Sequence, residues 1–119
     1  MNVSKVIKDT MCFTQTGTPY YASPEVWKDI PYDTKSDIWS LGCLIYEMAA
    51  LRPPFMADNM EGLYKRVLKG IYPKVSTKYS KYLKNLIRMM LQVDPENRPN
   101  INSLLEFAEI SFNKIFNKV

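Results

Sequence analysis

The chain contains no histidine, only two cysteines and only four glycines among its 119 residues. Without histidine it can form neither a Ser-His-Asp triad nor a Cys-His pair, and no His-ligated zinc. Two cysteines cannot make a four-cysteine zinc site. Cys12 and Cys43 lie far apart in different local contexts, which fits reduced thiols of a cytosolic protein better than a disulfide framework. Gly17, Gly42, Gly62 and Gly70 are too scattered to cradle phosphate. No apolar run reaches the roughly 18 residues of a membrane span, and the best stretch, Ile38 to Leu51, carries Glu47. The opening MNVSKVIKDT lacks a signal-peptide apolar core. No metal site, nucleotide site or catalytic constellation is complete within these residues.

What is present fits one globular domain at most: 46% of residues are apolar and 24% charged, too apolar for a disordered tail. Charge is uneven. Residues 1–59 hold 5 Lys/Arg against 7 Asp/Glu, and residues 60–119 hold 11 against 5. A basic second half could meet an acidic partner; the blander reading, solvated helix faces, is favoured because the lysines are scattered. No basic stripe with interleaved aromatics is read, so no nucleic-acid partner is expected.

Prolines divide the chain into helical windows. Pro24 can open a short helix over EVWK with Ser23 as its cap. Asp33 or Thr34 can cap a second helix, apolar on nearly every face from Ile38 to Ala49 and stopped by Arg52-Pro53-Pro54. A helix of that kind should be a core pillar with neighbours all round. Asn59 to Leu68 reads as an amphipathic helix ending near Gly70, Ser80 to Leu91 as another, and a last one starts at Pro99 and runs to about Phe107, or on towards Phe116. The expected fold class is mainly α, with four main helices and no confident strand. Asp37 stands one turn into the apolar helix; it is either a buried carboxylate that needs partners or an exposed acid favoured by the helix dipole.

The stretch GTPYYASPE, Gly17 to Glu25, suits neither helix nor strand. Together TGTPYYASPEVW, SDIWSLGCLIYEM and DPENRP, in that order and spacing, resemble the lower part of the C-terminal lobe of eukaryotic protein kinases. GTPYYASPE with KSDIWSLGC looks most like the NIMA-related Ser/Thr kinases. The resemblance covers about residues 1–107. It implies an activation segment and substrate platform over residues 1–28, a helical subdomain over 29–110 and a tail over 111–119.

The resemblance also implies roles. Gly17, Thr18, Pro19, Tyr20, Tyr21 and Ala22 would form the platform under a substrate peptide, with Gly17 allowing a tight turn. Thr18 matches the threonine that supports the catalytic aspartate, and Pro19 to Ala22 line the pocket for the residue after the phosphoacceptor. Ser23-Pro24-Glu25 stands where the family has A-P-E. Glu25 would anchor the platform by pairing with Arg98 of DPENRP. Asp37 matches the aspartate that accepts hydrogen bonds from the catalytic loop, with Trp39 and Leu41 packed beside it. Thr14 is the expected site of an activating phosphate, with Thr16 and Thr10 as weaker candidates.

A protein kinase also needs a glycine-rich loop, a strand lysine, an H-R-D loop and a magnesium-binding aspartate; none occurs here. Val3 to Ile7 looks like the stretch just after the family's D-F-G, which places Met1 and Asn2 at its Phe and Gly positions. The expectation is therefore a fragment or truncated gene model of a NIMA-related kinase. ATP and magnesium would serve the complete kinase; these residues alone need no cofactor and hold no metal. Partners implied are protein substrates and an upstream kinase, in the cytoplasm, at the centrosome or at the cilium. A non-catalytic interaction module is the alternative.

Overall fold

The computed structural model describes residues 19–117. Among them every regular element is a helix, and each begins at a residue whose side chain satisfies an otherwise orphan backbone N–H. Helix α1, Pro24–Trp27, starts with Ser23 Oγ accepting from the Val26 N–H, and proline occupies its first position. Helix α2, Thr34–Ala50, starts with a capping box: the Asp33 carboxylate accepts from the Lys35 N–H, and Ser36 Oγ accepts from the Asp33 N–H. Asp33, not Thr34, is thus the cap. Asn59 caps α3, Met60–Lys69; Ser80 caps α4, Lys81–Met90; Asn100 caps α5, Ile101–Phe116. A 3-10 turn, Pro95–Asn97, lies between α4 and α5. Pro99 stands before the α5 cap, so the last helix begins two residues later than expected. It then runs unbroken to Phe116, making residues 111–116 helical.

Helix α3 ends on Gly70, whose left-handed backbone (φ 65°) donates to Arg66 and Val67 carbonyls. A side chain there would be strained and would also meet Val93 Cγ2 at 2.5 Å. Helix α2 ends on Leu51, also left-handed at φ 63°, before the two prolines.

Helix α2 packs chiefly against α4, with α1 on α3 and α5 on α4. Its Trp39, Cys43 and Tyr46 are fully buried, in one cluster with Phe55, Leu63, Val67, Val75, Ile87 and Leu91. A second cluster joins Ile38 of α2, Met90 of α4 and Leu104 of α5. Burial leaves the Cys43 thiol with its pKa pushed up, hence protonated and unreactive.

The pillar expectation holds on one face only. Leu44, Met48 and Leu51 are 44%, 71% and 88% exposed. The described elements that pack on α2 meet the side carrying Trp39, Cys43 and Tyr46, and among the described residues the apolar side chains opposite are left largely exposed.

Close approach of α2 and α4 depends on Gly42. A Cβ there would stand 2.8 Å from Met90 Cβ and 3.0 Å from Leu91 Cδ2. Both neighbours are packed core atoms, so Gly42→Ala should overpack the crossing and destabilise the chain by about 1–3 kcal/mol. Urea unfolding followed by circular dichroism checks this; an unchanged midpoint would refute it.

Candidate functional site

The segment Pro19–Ser23 is irregular and leads into α1, and the whole stretch to Glu25 is tightly held. Pro19, Ala22, Ser23, Pro24 and Glu25 are buried, and Tyr20 and Tyr21 half-buried. A turn closes Pro19 to Ala22, whose N–H donates to the Pro19 carbonyl. Two anchors then tie the segment to α2.

The first anchor is Tyr21. Its carbonyl accepts from Ser40 Oγ at 2.8 Å, and its hydroxyl donates to Glu47 Oε1 at 2.5 Å. Burial first, and the Glu47 carboxylate second, push the phenol pKa upward, so Tyr21 remains a neutral donor. Glu47 is the only charged residue between Ile38 and Leu51. Its isolation in an apolar helix is the sequence signal that points to such a role. Ser36 and Ser40, one turn apart on α2, carry no comparable signal in the sequence, since serine is common on solvated helix faces.

The second anchor is Glu25. Its carboxylate takes a forked pair of bonds from Arg98: Nη1 to Oε2 at 2.6 Å and Nη2 to Oε1 at 2.8 Å. Ser36 Oγ donates to Oε2 at 2.8 Å. Arg98 is fully buried, and its other three N–H groups go to backbone carbonyls: Nε to Gln92 at 2.7 Å, Nη1 to Lys35 at 2.8 Å and Nη2 to Val93 at 3.1 Å. All five guanidinium donors are therefore satisfied. Lys35 Nζ donates back to the Arg98 carbonyl. The guanidinium also lies over the Trp39 ring, 5.1 Å from its centroid, and Trp39 stacks on Phe55 at 5.3 Å. One side chain thus joins α1, the start of α2 and the turn after α4.

Burial is the largest influence on Glu25 and opposes its ionisation. The hydrogen bonds from Arg98, from the Glu25 backbone and from Ser36, with the arginine charge, outweigh it and hold the pKa below the ordinary 4.5. A depressed folded-state pKa stabilises the fold above the unfolded value and is lost as pH falls through the folded one. Urea midpoints should therefore drop as pH passes downward below about 4.5, and Glu25→Gln should flatten that part of the profile. An identical acid slope in wild type and variant would contradict this.

The structure brings together Tyr20, Tyr21, Ala22, Glu25, Trp39 and Arg98. It does not bury Asp37, which lies exposed in the first turn of α2. Among the described residues no element covers that side of α2, and the catalytic loop that the resemblance pairs with Asp37 is not in this sequence. There an acid needs no partner beyond water and the helix dipole. Leu41 is 37% exposed and not packed in. Gly17 and Thr18 of the platform, and Thr10, Thr14 and Thr16 as phosphate sites, lie outside the described residues, as does Cys12.

A peptide segment held to α2 through Tyr21 and Ser36 and to Arg98 through Glu25 can present a fixed surface, and its one carboxylate is committed to that anchoring. Comparison with known proteins gives this arrangement its context. The protein kinase domain family matches residues 2–108. The chain is similar to the "Probable serine/threonine-protein kinase nek2" of Dictyostelium discoideum, 44% identical over 92% of this chain and 27% of that protein. It is also similar to the "Probable serine/threonine-protein kinase nek3" of the same organism, 46% identical over 92% of this chain and 10% of that protein. With the "Serine/threonine-protein kinase Nek1" of Mus musculus it shares 42% identity over 87% of this chain and 9% of that protein. The chain spans about a quarter or less of these relatives. In sequence and in its helical architecture, the chain belongs to the protein kinase family, in its NIMA-related Ser/Thr branch, and corresponds to the lower C-terminal lobe.

Proposed function

We propose that this chain is the substrate-platform and helical-scaffold segment of a kinase that moves the γ-phosphate of ATP to Ser or Thr of proteins, and that these 119 residues alone are inactive. The observation that carries the reading is the Glu25–Arg98 pair, which clamps Pro19–Glu25 to the helical subdomain. Phosphoryl transfer depends on positioning and electrostatics, so a platform held without slack serves it. In this reading Thr18 steadies the catalytic aspartate, Asp37 accepts hydrogen bonds from the catalytic loop, Thr14 takes the activating phosphate, and an upstream kinase supplies it. The glycine-rich loop, strand lysine and H-R-D loop that complete the chemistry are not in this sequence, which supports inactivity of the isolated chain.

Transfer of labelled phosphate from ATP to casein tests both halves. The isolated chain should transfer none. Residues 2–108 exchanged into the matching segment of the Dictyostelium nek2 relative should give an active chimera, and Thr14→Ala should lower its activity. Phosphorylation by the isolated chain would overturn the inactivity reading. A folded but inert chimera would overturn the platform reading. The exposed apolar residues Leu44, Met48 and Leu51 favour one alternative, a non-catalytic interaction module, and the inert chimera is the result that would promote it.

A further inference from the structure

The surplus of positive charge in the second half is more concentrated than it first reads. From Gly62 to Val93 there is no Asp or Glu, against eight Lys and Arg. In the structure three of these, Lys74, Lys84 and Arg88, line one cavity of about 560 Å³ between the loop after α3 and helix α4. Lys84 and Arg88 are four residues apart on α4 and so share a face. Asn85 Oδ1 accepts from Arg88 Nη2 at 3.1 Å and orients the guanidinium. Tyr72, Val75 and Ile87 supply apolar wall. No carboxylate lines the cavity, and none forms an ion pair with these three cations among the described residues.

We propose that this cavity is a docking site for an acidic peptide segment of a partner protein, with an apolar side chain between its carboxylates. Three unpaired cations around an apolar wall are complementary to that pattern: the wall takes the side chain, and the rim takes the carboxylates. The aromatics argue against nucleic acid. Stacking bases needs open ring faces. Tyr72 is engaged edge-on with Tyr46 and Phe55, at 5.3 and 5.9 Å between centroids. Lys78 and Lys81 lie over Tyr79 and Tyr82, at 5.3 and 5.4 Å. The site does not depend on the phosphotransfer reading, since none of its residues belongs to the Pro19–Glu25 segment or its anchors.

The test uses the full chain and a fluorescein-labelled peptide, Glu-Asp-Leu-Glu-Asp, read by fluorescence anisotropy. Binding should weaken with salt. Lys84→Glu with Arg88→Glu should reduce affinity by about tenfold or more, two charge-assisted contacts being lost. Lys65→Glu with Arg66→Glu changes net charge equally on exposed α3 positions and should leave affinity within about twofold. Equal losses in both variants would reduce the effect to net charge and overturn the site. So would no binding by the wild type, or displacement of the peptide by single-stranded RNA at lower concentration than by unlabelled peptide. Should the groove variant fail to fold, amide chemical shifts in the wild type decide: changes centred on Thr77 and Asn85 support the site, and changes centred elsewhere overturn it.

Discussion

Arg98→Met should destabilise the chain by about 3–5 kcal/mol, the cost of removing one member of a buried ion pair. A single-domain protein has only about 5–15 kcal/mol in total, so much of the variant should be unfolded at ambient temperature. The substitution strands more than a charge. Glu25 loses both forked bonds, and the carbonyls of Lys35, Gln92 and Val93 lose their donor. Arg98→Lys should recover little, because a lysine ammonium cannot reproduce the planar fork. Removing both charges with Glu25→Met and Arg98→Met together should still cost stability, since three part-buried carbonyls remain without the guanidinium. Urea midpoints for the three variants measure this. A double variant as stable as wild type would show that the carbonyl bonds contribute nothing.

Trp39→Ala should cost about as much, roughly 3–5 kcal/mol for a large aromatic removed from a packed core. Trp39 is fully buried, stacked 8° from parallel on Phe55 and covered by the Arg98 guanidinium. Its loss opens a cavity beneath the ion pair as well as inside the main cluster. The effects of Trp39→Ala and Arg98→Met should therefore be non-additive, with a coupling of about 0.5–3 kcal/mol in a double-mutant cycle. Trp39→Phe, which keeps an aromatic plane under the guanidinium, should cost clearly less. Strict additivity would mean that the ring and the guanidinium are neighbours without energetic contact.

Local chemistry explains what was legible in the chain. Helix starts are short-range events: Ser23, Asp33, Asn59, Ser80 and Asn100 each cap within three residues, so the number and order of helices could be read from spacing alone. The end at Gly70 is of the same kind. Pro99 misled by two residues because proline is equally at home just before a cap. The ordered motifs were enough to bring Glu25 and Arg98 under suspicion as partners.

The rest depends on which surfaces meet. Hydrophobicity all round α2 gave no means of telling the face that holds Trp39, Cys43 and Tyr46 from the face that leaves Met48 and Leu51 bare. Asp37 would be costly under a neighbour and is harmless in water, and its residue type is the same in both cases. Glu47 becomes an anchor only because Tyr21, 26 residues earlier, is folded against it. Lys74, Lys84 and Arg88 look scattered along the chain and line one cavity in space. Capping, helix breaking and motif spacing act within a few residues and are written in the order of amino acids. Burial, pairing and the field around a charge arise between segments far apart in the chain, and exist only once the helices have packed.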